Sequence, residues 1–317
     1  MNATQREKNI YGSDVEIIYR DFDCTIYRLS DETGNIEMKS YTVFPGIELI
    51  YNDVHKQECL LENSKPENIF EINHCREGRI ECEFKDEFCY LTPGDLSIAY
   101  KSNMEHGSYF PLGHYQGISI IIDMEKVPQC FSCFLDDVNV SPSILIKKFC
   151  QDNKGFIARS ETSIEHIFSE LYFVPDRIKK GYFKVKILEL FLFLSNMEVN
   201  TKENEKQCVS KSQVSLAKNI CKYLTEHMES HVTLDQLSEI FHISGTQIKN
   251  SFKAVYGVSM YSYIRTQKMQ SAALLLKKNN CKVIEIAGRF GYDNGSKFAK
   301  AFKDIMGVTP NEYRTSK

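Results

Sequence analysis

One pattern is written twice near the carboxy end of the chain, fifty positions apart and without a gap, and no other feature limits the fold so much. Thr233 to Ser259 reads TLDQLSEIFHISGTQIKNSFKAVYGVS, and Val283 to Thr309 reads VIEIAGRFGYDNGSKFAKAFKDIMGVT. Laid on each other, Leu237 meets Ala287, Ile240 meets Phe290, Gly245 meets Gly295, Ile248 meets Phe298, and Phe252-Lys253 meets Phe302-Lys303. A short helix, a tight turn and a second helix in each copy predict two helix-turn-helix units, the arrangement that lays a helix in the major groove of DNA.

The periodicity agrees. Leu234, Leu237 and Ile240 share one helical face, and Ile248, Phe252 and Val255 recur at four and three residue spacing. Thr233 with Gln236, and Ser244 with Gln247, have capping-box spacing, so each pair can satisfy orphan donors at a helix start. Gly257 and Gly307 fall where a helix ends in a left-handed residue, and Pro310 stops simple continuation.

Charge separates this region from the rest. Ser210 to Lys317 holds 16 Lys and Arg against 8 Asp and Glu, a net +8, whereas the preceding residues hold 23 against 34, a net −11. Neutralising phosphates releases condensed counterions, so the basic end suits a duplex and the acidic end would be repelled by one. A chain of 317 residues is also long enough for two cores. The polar stretch VNTKENEKQCVSKS, 199–212, reads as a linker between a first domain, 1–198, and a DNA-binding domain, 213–317.

Neither export nor membrane insertion is expected. MNATQREKNI has no apolar run, and ILELFLFL at 187–194 is too short to span a bilayer, so the chain reads as cytoplasmic. Eleven scattered cysteines then predict reduced, partly buried thiols, and the lone CxxC at Cys130 and Cys133 carries no zinc or redox motif.

Within the first domain the signal changes from strands to helices. Phe70, Ile72 and His74 alternate with Glu71 and Asn73, and Ile80, Cys82 and Phe84 alternate with their polar neighbours. Short alternating strands over about 37–123 predict an antiparallel barrel or sandwich. Helical spacing takes over at about 142–198, with Thr162 and Glu165 as another capping box. The last of these helices is apolar beyond one stripe, through Leu188, Leu192 and Phe193, which suits either a second subunit or burial within one chain.

The stretch IAGRFGYDNGSKFAKAFKDIMGVTPNEYR, Ile286 to Arg314, resembles the signature of the AraC/XylS family of bacterial transcription regulators. The connector SMYSYIRTQKMQSAALLLKKN resembles that family's linker helix, with Lys268 where Arg is usual. NHCREGRIECEF followed by YLTPGDLSIA resembles its cupin-like sensor barrel. The resemblance implies an α+β protein: an amino-terminal antiparallel β-barrel with following helices, and a carboxy-terminal all-α domain with two helix-turn-helix motifs joined by a linker helix. It implies a promoter or operator DNA partner, a small-molecule effector, RNA polymerase, a homodimer and activation.

Candidate residues follow from the outward faces. Thr246, Lys249 and Asn250 on the first reading helix, and Ser296, Lys297 and Lys300 on the second, suit base readout, since Asn pairs with adenine and Lys with guanine. Lys253 and Lys303 suit phosphate. Gln247 is set aside for its capping box. In the first domain, parity turns His74 inward with Phe70 and Ile72, and Tyr51, His55, Tyr100 and His106 join it as effector candidates. His74, His106 and His114 include no His-x-His pair, so neither a bound metal or other cofactor nor catalysis is expected. The competing readings are a cupin-type metalloenzyme fused to a DNA-binding tail and an effector-independent dimeric DNA-binding protein.

Overall fold

Alternation along Ile69–Gly78 does produce a strand, and the computed structural model places it well inside a large antiparallel sheet. Residues 2–59, 68–84, 87–101, 107–128, 138, 140–150, 155–160, 162–199, 208–278 and 281–315 are described. They form two units, Met1–Cys208 and Val209–Lys317.

The first unit opens with a short helix, α1 (Gln5–Tyr11). Its strands are β1 (Glu16–Arg20), β2 (Cys24–Asp31), β3 (Gly34–Phe44), β4 (Ile47–His55), β5 (Glu58–Cys59), β6 (Ile69–Gly78), β7 (Ile80–Phe84), β8 (Glu87–Leu91), β9 (Leu96–Tyr100), β10 (Ser108–Tyr109), β11 (Tyr115–Asp123) and β12 (Phe156–Ala158). The main sheet runs β1-β2-β3-β4-β11-β6-β9-β12, antiparallel at every step. The expected barrel over 37–123 is therefore corrected: among the described residues this ladder is open, and it draws strands from both sides of that range. One reason is that β7 and β8 pair with each other, Ile80 opposite Leu91 and Cys82 opposite Cys89, instead of extending the sheet.

Three helices cover one face: α2 (Pro142–Phe149), α3 (Thr162–Leu171) and α4 (Lys179–Asn196). Phe70, Ile72 and Ile120 of the sheet share a core with Leu145, Phe168, Ile187 and Phe191 of these helices. Each such side chain contributes roughly 1.5–3 kcal/mol by leaving water. On the other face Ile50, Val54 and Ile121 pack with Ile10 and Tyr11 of α1 and with Ile80 and Leu91 of the hairpin.

Two further expectations need correction. Cys89 is disulfide-bonded to Cys208, 119 positions away, while Cys24, Cys59, Cys75, Cys82, Cys150, Cys221 and Cys281 are free. Sequence spacing carries no record of such a long-range pairing. The CxxC at 130–133 lies outside the described residues. Glu165 does not close a box with Thr162, which is the first residue of α3; its carboxylate lies 3.0 Å from His74 Nε2 instead.

The second unit is helical: α5 (Lys211–Glu226), α6 (Leu234–Phe241), α7 (Gly245–Tyr256), α8 (Met260–Lys278), α9 (Val283–Arg289), α10 (Gly295–Met306) and α11 (Pro310–Thr315). Its first helix starts inside the stretch read as linker, because Ser210 and Gln213 form a capping box that polarity alone conceals. The connector α8 serves two cores from different faces. Tyr263 packs on Phe252 and Tyr256 at ring-centroid distances of 5.6 and 4.9 Å, whereas Met269, Ala272, Ala273 and Leu276 pack with Ile286, Phe298 and Phe302.

Candidate nucleic-acid interface

Each helix-turn-helix is built from caps inward. In the first, the Thr233 hydroxyl accepts from the Gln236 amide at 3.3 Å and Gln236 Oε1 accepts from the Thr233 amide at 2.8 Å. His242 then makes the turn with φ 54°, and Ser244 caps α7 by accepting from the Gln247 amide at 3.3 Å. In the second, Lys282 offers no capping hydroxyl and only Glu285 reaches back, accepting from the Lys282 amide at 3.0 Å. Gly291 turns the chain with φ 76°, and Asn294 Oδ1 accepts from the amides of Ser296 and Lys297 at 2.8 and 3.2 Å.

Behind these caps the reading helices present one buried and one exposed face. Ile248, Phe252, Val255 and Tyr256 of α7 and Phe298 and Phe302 of α10 are fully buried. Thr246, Lys249, Asn250 and Lys253 lie exposed on α7, and Ser296, Lys297, Lys300 and Lys303 lie exposed on α10. The structure thus brings the eight candidates into two equivalent sets. Among the described residues none of their five lysines takes part in an ion pair. Gly257 and Gly307, at φ 74° and 77°, end the two helices by donating their amides to the carbonyls of Lys253 and Lys303.

The connector holds the two sets apart. Nineteen residues at about 1.5 Å each give α8 a length of about 28 Å. Arg265, near its start, donates to Asp304 of α10 at 2.7 Å and so braces the second reading helix against it.

Gln247, set aside for a capping box, is exposed on the same helix as the α7 candidates. The Ser244 box closes only halfway: the Gln247 amide is bound, but its exposed side chain is not part of a completed box. The repeat held the signal, since Gln247 is the counterpart of Lys297.

Of the effector candidates of the first unit, Tyr51, His74 and Tyr100 share the helix-covered face of the sheet, Tyr51 and His74 both opposite Ile118 of β11, but each is packed into the core there. His74 keeps the parity expected of it, but its face is the helix-covered one. It is buried flat against the ring of Phe168, 4.1 Å between centroids, and burial pushes its imidazole below the usual value. Tyr51 donates its hydroxyl to the Leu171 carbonyl at 2.5 Å, and burial pushes its phenol up. Tyr100 sits edge-on to Phe70, and His55 is exposed beside Asp53 and His114. His106 lies outside the described residues.

The other face of the sheet holds a cavity of about 90 Å³ instead, with Asn52, Glu71, Asn73, Lys101, Tyr115 and Ser119 in its lining. Asn52 donates to the Ser119 hydroxyl at 2.8 Å, and the Ser119 and Tyr115 hydroxyls donate to Asn73 Oδ1 at 3.2 and 2.8 Å. Asn73 lies between Ile72 and His74, so the sequence signal was a polar residue at the opposite parity of a buried strand. Among the described residues no group of three or more His, Cys, Asp or Glu is placed to hold a metal ion, and no helix is long and apolar enough to cross a membrane.

Paired turn-helix ends, each with a polar and basic outer face, define a double helix-turn-helix DNA-binding domain. The family model of a helix-turn-helix domain matches residues 237–316. The F1 operon positive regulatory protein of Yersinia pestis is 34% identical over 97 residues, 30% of this chain and 32% of that protein. The multiple antibiotic resistance protein MarA of Escherichia coli is 30% identical over 96 residues, 30% of this chain and 76% of MarA. The C-terminal domain of AraT, a response regulator from Geobacillus stearothermophilus, is 31% identical, covering 32% of this chain and 85% of that one with a TM-score of 0.31. The chain belongs to the AraC/XylS family of transcription regulators. It spans about a third of the length of the F1 operon relative.

Proposed function

We propose that residues 213–317 read two successive major-groove segments of one duplex, α7 through Thr246, Gln247, Lys249 and Asn250, and α10 through Ser296, Lys297 and Lys300, with Lys253 and Lys303 on phosphate. The observation that carries this is the pair of equivalent exposed faces held by one connector. Its length of about 28 Å compares with the ~34 Å of a duplex turn that separates successive major-groove faces. Footprinting on a selected binding site tests it. Protection should cover two consecutive turns asymmetrically, and protection confined to one turn would reject the reading.

We further propose that residues 1–198 are a sensor domain that binds a small-molecule effector and dimerises, and that the protein activates transcription in the cytoplasm with RNA polymerase as partner. The Asn52, Asn73, Tyr115 and Ser119 network supports the effector, because polar groups retained in an otherwise apolar interior suit ligand recognition. At about 90 Å³ the cavity is smaller than the ~300 Å³ at which ligand pockets usually begin, so an effector there requires α1, whose Ile10 and Tyr11 line it, to move. The F1 operon relative is a positive regulator by name, which supports activation. A thermal-shift screen of small polar metabolites on the full chain tests the sensor. A hit whose stabilisation survives Asn73→Ala would argue against this cavity.

A further inference from the structure

A cleft of about 430 Å³ opens in the second unit, and none of the eight interface residues lines it. It lies along the first half of the connector, from Met260 to Lys268, between the start of α6 at Leu234 and the turn at Gly291 and Tyr292. Leu224, Leu237, Met260, Ile264 and Phe290 give it apolar walls. Its basic side chains are His227, His231, Arg265 and Lys268, and neither Asp nor Glu is among the described residues that line it.

The four nitrogen groups are not equally committed. Arg265 already pairs with Asp304, and His227 stacks on Tyr223 and donates Nδ1–H to that residue's carbonyl at 2.8 Å. Lys268 forms no ion pair or hydrogen bond among the described residues, and burial alone pushes its half-buried ammonium below the ordinary lysine value. Gly291 keeps the approach open. With φ 76° it disfavours a side chain, and a Cβ there would stand 3.0 Å from the Glu229 carbonyl and 3.6 Å from Lys268 Nζ.

The larger cleft of the first unit, about 510 Å³, offers a contrast. There Lys39, Lys179 and Lys180 are matched by Asp21, Asp23 and Asp176, so its charge is already balanced. The cleft beside Lys268 has a cation without a counter-charge, apolar walls, and a volume within the ~300–1,000 Å³ usual for organic ligands.

We propose that this cleft binds a small organic anion, an aromatic carboxylate, with the carboxylate on Lys268 Nζ and the ring against Leu237, Ile264 and Phe290. Because both helix-turn-helix units border it, the ligand would bias their spacing and so couple to DNA binding, a consequence that rests on the DNA-reading proposal above. A backbone phosphate of the duplex would satisfy the ammonium but would leave the apolar walls without an occupant.

Isothermal titration of the full chain with 2-naphthoate, without DNA, tests the site separately from DNA reading. Naphthoate should bind, while 2-naphthalenemethanol, which lacks the charge, and inorganic phosphate, which lacks the ring, bind at least about tenfold more weakly. Lys268→Met should lose about tenfold in naphthoate affinity. Tyr261→Ala, at a mostly exposed side chain lining the cleft, should lose about threefold and keeps the test open if Lys268→Met does not fold. No naphthoate binding, equal binding by folded Lys268→Met, or equal binding of phosphate overturns the proposal. So does a Lys268→Met protein that binds naphthoate normally but a DNA duplex more weakly, because the ammonium would then belong to the DNA backbone.

Discussion

In the first helix-turn-helix Thr233 closes a full capping box and His242, a residue with a Cβ, takes the left-handed turn; in the second Lys282 supplies no hydroxyl and Gly291 turns the chain. The caps of the two leading helices, Thr233 and Lys282, are forty-nine positions apart, yet those of the two reading helices, Ser244 and Asn294, are fifty apart. The second turn therefore holds one extra residue, and α9 is displaced by one position against its counterpart α6. This is why Ile240 is 45% exposed although Phe290, its partner in the ungapped repeat, is buried. Core positions such as Phe252 and Phe302 agree because a close-packed interior admits few alternatives. Helix ends differ because several local hydrogen-bonding solutions serve equally well.

The comparison is broken most directly at its shared core. Phe252→Ala and Phe302→Ala should each cost about 3–5 kcal/mol in urea unfolding of the full chain, since both rings are fully buried. Values differing by more than about 2 kcal/mol would mean that the two cores are not equivalent. Next in size are the reading faces. Asn250→Ala should cost about 1–3 kcal/mol at one base position only, whereas Lys303→Ala should weaken all sequences alike and lower the salt slope by about one. Binding to a set of single-base operator variants separates them, and matching profiles would show that the two residues share one role.

Smaller effects probe the ends. Thr233→Ala should cost about 1 kcal/mol of stability, but Lys282→Ala should cost only a few tenths, because only Thr233 caps through a side-chain oxygen. Equal losses would mean that the caps do not distinguish the copies. Smallest, His242→Gly should stabilise by about 0.5 kcal/mol, the relief of a left-handed Cβ less the entropy of glycine, as read by the shift in melting temperature. A loss of stability there would show that the His242 side chain packs or bonds to an extent its exposure does not suggest.

The reading helices were legible because two signals coincide in them: a buried face at three and four residue spacing, and caps at Ser244, Asn294, Gly257 and Gly307. The half-closed box at Gln247 was not legible, since spacing permits a capping box but the side-chain rotamer decides whether it closes. The same division runs through the first unit. The parity of His74 was correct, yet parity does not say which face of a sheet the helices cover, and the polar cavity lies on the other one.

Local pattern therefore determined the elements of this protein: the strands, the capped helices, the duplicated helix-turn-helix and the charge asymmetry, each set by interactions between residues close in sequence. Tertiary structure alone decided the open sheet, the Cys89–Cys208 bond and the uncompensated Lys268 beside Gly291. Each of these depends on groups that the chain separates and only packing brings together.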